Sequence, residues 1–112
     1  MLINVELTLM SGITKYRYVG DKIPNINNYD DEMIIDILCH PNTVSSIDLS
    51  KCVNLVRLCC GNNNISSVDL SKCINLRVFC CNNSNILSID LSKCVNLEYI
   101  DCSNNNISSI DL

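Results

Sequence analysis

The sequence predicts a solenoid in which short β-strands stack into a parallel sheet, because two blocks of residues recur at a fixed spacing. The block Cys-(Val/Ile)-Asn-Leu begins at residues 52, 73 and 94, which is a period of 21 residues. The block (Ile/Val)-Asp-Leu-Ser-Lys begins at residues 47, 68 and 89, with the same period. Repeated units of this size are typical of solenoids, in which each unit buries its apolar face against its neighbours.

Length and composition agree with one small domain built on an aliphatic core. The chain has 112 residues, of which 47% are hydrophobic and 4% aromatic, and it contains no Trp. An apolar fraction this high is not typical of a disordered chain. We predict that residues 1–29 form an N-terminal cap and linker, and that residues 30–112 form four repeats, of which the last is truncated.

The four units share the strand pattern apolar-x-x-apolar-x-Cys-x-x-Asn-x-apolar, with Ser in place of Asn in the third unit. This pattern resembles the leucine-rich repeat, with Cys in its third apolar position. The 21-residue period and the IDLSKC-type second half are similar to arrays in some bacteria and in large DNA viruses of amoebae. The matching positions are Ile34, Ile37, Cys39, Asn42 and Val44, then Leu55, Leu58, Cys60, Asn63 and Ile65, then Leu76, Phe79, Cys81, Ser84 and Ile86, then Leu97, Ile100, Cys102, Asn105 and Ile107.

The Asn of each unit is expected to turn the chain inward after the strand. Its side-chain amide can pair with backbone groups of the neighbouring turn, which would otherwise be buried without partners. Ser84 can make only part of these bonds, so we expect a local weakness in the third unit.

The second half of each unit alternates apolar and polar residues, which predicts inward Ile and Leu side chains on either side of an Asp that faces water. We expect a short 3₁₀ or irregular turn after it, because too few residues remain for an α-helix. Ser50, Ser71 and Ser92 are the predicted N-caps of these turns. The row of Asp48, Asp69, Asp90 and Asp111 is interpreted as a solvated row of charges rather than a calcium site.

The first residues do not follow the repeat and predict an antiparallel β-hairpin that caps the first unit. Apolar and polar residues alternate up to a turn at Ser11-Gly12, after which a second strand follows. The expected register places Leu7 opposite Tyr16 and Glu6 opposite Arg17, which pairs apolar residues on one face and opposite charges on the other.

Several classes of function are excluded by the residues present. The net charge of −4 and the scattered basic residues argue against a nucleic-acid partner, and no segment is long and apolar enough to span a membrane. His40 has no catalytic motif around it, so we expect no enzyme, no cofactor and no metal site. An odd number of cysteines, nine, and no export signal predict reduced thiols in the cytoplasm, or in the host cytoplasm if the protein is viral.

The outward positions of the strands predict a concave face, on which leucine-rich repeats usually hold a protein partner. Cys59 and Cys80 should be neighbours there, as free thiols or, less favourably, as a disulfide. The predicted partner-binding residues are Asp36, Leu38, Arg57, Cys59, Arg77, Val78, Cys80, Glu98, Tyr99 and Asp101.

Self-association through an uncapped C-terminal repeat, giving a homodimer, is the alternative function. Terminal repeats usually need a polar outer face, and this end carries apolar residues. A role as a ubiquitin-ligase adaptor is disfavoured, because the residues before the repeats do not form a helical box. The predicted self-association residues are Ile100, Ile107, Ile110 and Leu112.

Overall fold

The structure, a computed structural model, describes residues 5–9, 14–17, 22–23, 34–42 and 44–111. The linker predicted before residue 30 and the turn at residues 11–12 lie outside these ranges. The described residues contain ten short strands: β1 (Val5–Leu9), β2 (Thr14–Arg17), β3 (Lys22–Ile23), β4 (Ile34–Cys39), β5 (Ser46–Ile47), β6 (Arg57–Cys59), β7 (Val78–Cys80), β8 (Ser88–Asp90), β9 (Tyr99–Asp101) and β10 (Ser109–Asp111).

The main sheet has six strands in the order β2-β1-β4-β6-β7-β9. Strands β4, β6, β7 and β9 come one from each repeat and pair in parallel, with Arg57 opposite Val78 and Val78 opposite Tyr99. Equivalent residues therefore stack in columns along the solenoid. The predicted parallel sheet of stacked repeats is confirmed.

The core lies behind this sheet and consists of the apolar columns that the repeat pattern predicts. Ile37, Leu58 and Phe79, the central residues of their turns, are all 0% exposed. A residue between two turns is covered on both sides, whereas Ile100 in the last described strand of the sheet is 38% exposed. Burial of these side chains against one another is the main source of stability in a fold of this kind.

The N-terminal hairpin caps the first repeat as expected, but its predicted register is wrong by one residue. Leu7 pairs with Lys15, and Glu6 pairs with Tyr16. The prediction treated the hairpin as an isolated pair of strands. In the structure β1 also pairs antiparallel with β4, where Leu7 lies opposite Ile37. The pairing of β1 with β4 of the first repeat therefore determines which residues of β1 face the core. Strand β2 pairs with the opposite edge of β1.

The convex side consists of turns and short strand pairs, and no helix occurs there within residues 44–111. Strand β8 pairs in parallel with β10, and β3 pairs in parallel with β5. Each unit makes a tight turn in which a Cys amide donates to a Leu carbonyl, as between Cys73 N and Leu70 O at 3.0 Å. An irregular convex side is thus confirmed.

The serines of these turns are not the caps that the sequence predicts. The Asp two residues earlier accepts a hydrogen bond from the Ser amide, at 2.9 Å between Ser71 N and Asp69 Oδ1. The same contact joins Ser92 N to Asp90 Oδ1 at 2.9 Å. The carboxylate, rather than the hydroxyl, stabilises each turn, because an Asp side chain readily mimics a backbone turn.

The asparagines after the strands play the predicted role in two of the four turns. Asn63 is 4% exposed, and its Oδ1 accepts from Val44 N at 2.9 Å. Its Nδ2 donates to Cys60 O at 3.2 Å. Asn105 makes the equivalent contacts, accepting from Ile86 N at 3.0 Å. Ser84 is also buried, but its Oγ has no partner among the described residues.

Asn42 departs from the alignment of the repeats. It is exposed and has a φ of 58°, in the left-handed region, as do Asn62, Asn83 and Asn104 at 57°, 56° and 57°. Asn adopts this conformation more readily than other residues with a Cβ. Asn42 therefore supplies the left-handed residue of its turn rather than the buried amide that the spacing predicts.

Candidate functional site

The concave face is formed by the side chains of β4, β6, β7 and β9 that point away from the core. Side chains alternate along a strand, so the two residues that flank a buried one, such as Leu58, both face outward. In-register pairing arranges them in two columns. One column holds Asp36, Arg57, Val78 and Tyr99, and the other holds Leu38, Cys59, Cys80 and Asp101.

Strand β1 extends this face by residues that the sequence analysis did not select. Glu6 pairs with Leu38, and Thr8 pairs with Asp36. Together with Arg57, these residues line a small cleft of about 120 Å³. The alternation in β1 already placed Glu6 and Thr8 on its polar face. Only the pairing of β1 with β4, a contact far apart in sequence, shows that this face continues the concave one.

The two arginines of the face have different surroundings. Arg77 and Glu98 form an exposed ion pair at the flank, with Nε and Oε2 3.1 Å apart. Arg57 lies nearer the centre, with its Nε 3.4 Å from Cys59 Sγ. Partial burial raises the pKa of Asp36; Arg57 offsets part of this increase, and the charge of Glu6 adds to it. The charge of Arg77 is thus paired with that of Glu98. Arg57 instead interacts with the thiol of Cys59 and with the carboxylate of Asp36.

The exposed side chains of the face are of types that proteins use for recognition. Tyr99 is 56% exposed and Leu38 is 39% exposed, while Val78 is half-buried. Tyr and Arg are enriched at the centres of protein interfaces, where they bury large areas and form directional hydrogen bonds. The structure thus brings eight of the ten residues singled out from the sequence together on one surface, and places Arg77 and Glu98 at its flank.

Cys59 and Cys80 are opposite each other on β6 and β7, as the repeat predicts, and both are half-buried free thiols. Burial raises the pKa of Cys80 to about 11, and the neighbouring Cys59 adds to the effect. At neutral pH Cys80 is therefore a thiol, whereas cysteine nucleophiles need a lowered pKa.

The remaining cysteines stack inside the solenoid. One column holds Cys39, Cys60, Cys81 and Cys102, with Cys81 Sγ and Cys102 Sγ 3.5 Å apart. Burial raises the pKa of Cys39 to about 12, which keeps it protonated in an apolar environment. No group of three or more Cys, His, Asp and Glu side chains among the described residues has the arrangement of a metal site.

A groove of about 500 Å³ runs beside the concave face, and the sequence analysis did not select its polar wall. Asn54, Asn75 and Asn96 form that wall, and Asn75 Nδ2 donates to Val53 O of the preceding turn at 3.0 Å. The signal was present in the recurring Cys-x-Asn-Leu block. The Asn side chain of this block donates a hydrogen bond to the preceding turn, which is a structural role.

Three of the four residues predicted for self-association, Ile100, Ile107 and Ile110, lie in the last described turn. Ile110 is 47% exposed, while its equivalent in the preceding turn, Ile89, is 2% exposed. Ile107 is partly buried. Leu112 lies outside the described residues. Within the described residues, no helix has the length and the hydrophobicity needed to cross a membrane.

Comparison with known proteins identifies a similar solved structure. It is the functional domain of InlJ from Listeria monocytogenes, described as including a cysteine ladder, and it matches with a TM-score of 0.68 and 24% sequence identity. The match covers 81% of this chain and 20% of that chain, so this chain spans about a fifth of its length. No family model and no curated protein sequence matches.

The matched protein is a leucine-rich-repeat protein, and the described part of this chain is a solenoid of stacked parallel strands with little helix. The similarity of the repeats to viral arrays remains a prediction. The architecture and this match together show that the chain has the leucine-rich-repeat fold.

Proposed function

We propose that the chain is a protein-interaction module that binds a partner through its concave face. The observation that carries this proposal is the exposure of Tyr99, Leu38 and Arg57 together on one continuous sheet surface. Solenoids commonly use their concave surface in this way, because it presents side chains from several turns to one ligand.

The rigid support beneath the face favours binding. Leu58 and Phe79, which lie directly between the outward columns, are 0% exposed. The backbone amides of successive turns are also bonded, as between Arg77 N and Val56 O at 2.8 Å. A surface held in place before binding loses less conformational entropy on association, which improves affinity.

We propose that this function is non-catalytic and uses no cofactor. The raised pKa of Cys80, about 11, leaves it protonated at neutral pH and unsuited to nucleophilic chemistry. Asp36 is the carboxyl of the face whose pKa is raised, and its neighbours Arg57 and Glu6 act on it in opposite directions. These properties suit a recognition surface better than an acid–base pair.

Affinity capture under reducing conditions tests the proposal. Lysates of a bacterium and of an amoeba are the starting material, since these are the cells to which the repeat resemblance points. The variant Arg57→Ala/Tyr99→Ala removes two central side chains. A matched control, Lys72→Ala/Val95→Ala, removes two exposed side chains of the convex half, where Val95 is 80% exposed. We expect a partner retained by the wild type and the control but lost by the concave variant.

A partner that binds all three proteins equally would contradict a concave site. Circular dichroism of each variant provides the folding control. Since all four substituted side chains are exposed, we expect their stability to remain close to that of the wild type.

Self-association is the second candidate, and the exposure of Ile100 and Ile110 favours it. Both are apolar, and their equivalents Phe79 and Ile89 are buried in the preceding turn. A second copy would cover them, and β9, the edge strand of the main sheet among the described residues, offers backbone groups that no described strand pairs with. Sedimentation velocity should then show a dimer that Ile110→Lys dissociates. A monomer at all concentrations would rule this candidate out.

We also propose that the protein works in a reducing compartment, the cytoplasm, or the cytoplasm of a host if it is viral. All nine cysteines are free thiols, and seven occupy inward positions where a small apolar side chain fits. Fluorescence microscopy of the tagged chain in the source cell is the test. Export from the cell would contradict this proposal.

A further inference from the structure

The described part of the concave face carries carboxylates at both of its ends, with Arg57 and apolar or thiol side chains between them. Glu6 on β1 and Asp36 on β4 lie at one end. Asp101 on β9 lies at the other. Cys59 and Cys80, both half-buried, occupy the middle. The charge of the surface is therefore distributed in a pattern rather than spread evenly.

Among the side chains that the structure describes, the arginines of this face do not balance the charges at its two ends. Arg77 is held by Glu98 at 3.1 Å, outside the two columns. Arg57 approaches Cys59 Sγ at 3.4 Å and also acts on Asp36. One guanidinium thus offsets part of the effect of burial on Asp36, and the Glu6 charge still disfavours ionisation of Asp36.

The carboxylate at the far end is held by a neutral partner. Ser103 donates to Asp101 Oδ1 from its backbone amide at 3.0 Å and from its hydroxyl at 2.7 Å. These bonds lower the pKa of Asp101, so the group stays ionised at neutral pH. They orient the carboxylate without cancelling its charge.

We propose that the occupant of this face is an extended peptide segment with a basic side chain at each end of a short apolar stretch. This inference rests on the proposed function and names the chemistry of its partner. The basic residues pair with Glu6 and Asp36 at one end and with Asp101 at the other. The apolar stretch covers Leu38 and Val78.

The spacing of the strands sets the distance between the two basic residues. Parallel strands lie about 4.8 Å apart, so the face spans about 14 Å from β4 to β9 and about 19 Å from β1 to β9. An extended chain advances about 3.3 Å per residue. A segment that crosses the strands therefore places its basic residues about four to six positions apart.

Fluorescence anisotropy with two labelled peptides of about eight residues tests the inference. The first peptide has arginines about five positions apart with leucines between them, and the second has glutamates in place of the arginines. The full chain is titrated with each peptide up to about 1 mM. We expect the basic peptide to bind, the acidic peptide to bind at least about tenfold more weakly, and added salt to reduce the difference.

Two matched variants locate the contact. Asp101→Asn removes the charge on the concave face. Asp90→Asn removes a charge on the convex side, where Ser92 donates the same two hydrogen bonds, at 2.9 and 2.6 Å. We expect Asp101→Asn to weaken binding of the basic peptide about two- to fivefold, as exposed charge pairs do, and Asp90→Asn to leave it unchanged.

Equal binding of the two peptides, equal effects of the two variants, or binding of neither peptide would overturn the inference. The capture experiment assumes nothing about the charge of the partner. If substitution of Arg57 and Tyr99 abolishes capture of a partner but the basic peptide is not preferred, concave binding is supported. In that case only the inference of a basic peptide segment is rejected. Loss of the concave dependence in the capture experiment would reject the function itself.

Discussion

Replacement of Ser84 by Asn should stabilise the protein. Ser84 is 7% exposed, and its Oγ has no hydrogen-bond partner among the described residues. At the same position of the preceding turn, Asn63 accepts from Val44 N at 2.9 Å and donates to Cys60 O at 3.2 Å and to Gly61 O at 3.0 Å. An asparagine at position 84 is placed to make the equivalent bonds, with Ile65 N as the donor.

The expected gain follows from these bonds. Each intramolecular hydrogen bond contributes about 0.5–1.5 kcal/mol net, so two or three add about 1–4 kcal/mol. The larger side chain and its lost rotamer freedom offset about 1 kcal/mol or more. A net gain of about 1–2 kcal/mol remains. For a domain of this size, it corresponds to an increase in melting temperature of about 4–8 °C.

Thermal unfolding monitored by circular dichroism measures the change. Ser84→Ala is the matched control, because it removes the unpaired hydroxyl without adding an amide, and its melting temperature should change less than that of Ser84→Asn. The reverse substitution, Asn63→Ser, should lower the melting temperature, because it leaves Val44 N without its acceptor. A lower melting temperature for Ser84→Asn, or an unchanged melting temperature for Asn63→Ser, would refute this account of the asparagine column.

Three further predictions concern the core and the turns. Phe79→Ala should lower the free energy of unfolding by about 3–5 kcal/mol in urea denaturation, because Phe79 is 0% exposed and its removal leaves a cavity. A loss below about 1 kcal/mol would contradict its central position. Gly61→Ala should be destabilising, since the new Cβ would lie 3.0 Å from Asn82 O and still closer to Asn82 Oδ1; adding Asn82→Ala should restore part of the loss. The Ser71 hydrogen bonds lower the folded-state pKa of Asp69, so their stabilisation is present above the unfolded pKa and is lost as the pH falls through the folded value. Asp69→Asn should therefore lose less stability than the wild type between about pH 5 and pH 3 in melting experiments, and an unchanged pH profile would contradict this role.

The strands and the concave columns could be predicted because the period itself fixes them. Once the repeat is aligned, Leu58 must lie in the same column as Phe79, and the residues on either side must face outward. The structure reproduces this arrangement, with Leu58 opposite Phe79 and Cys59 opposite Cys80. A repeated sequence supplies many copies of one local rule, so a single misplaced residue does not change the result.

The details that escaped prediction are of two kinds. The serine caps failed inside each repeat, because the Asp two residues earlier accepts the bond from the Ser amide. The others lie in or beside the first repeat. The hairpin register follows from the pairing of β1 with β4, which alternation within the hairpin could not indicate. The same contact brings Glu6 to the concave face. Asn42 matches Asn63 in spacing but adopts the left-handed conformation of Asn62. The errors in the hairpin register and at Asn42 occur where periodicity no longer constrains the chain.

Site-specific photocrosslinking tests the central claim, that a protein binds the concave face, most directly. A photoreactive phenylalanine analogue is placed at Tyr99, on the concave face, or at Val95, on the convex side; both side chains are exposed, at 56% and 80%. The two positions are close in sequence but lie on different surfaces of the solenoid. The account predicts a crosslinked partner from position 99 and none from position 95. Crosslinking from position 95 alone, or equally from both, would contradict it.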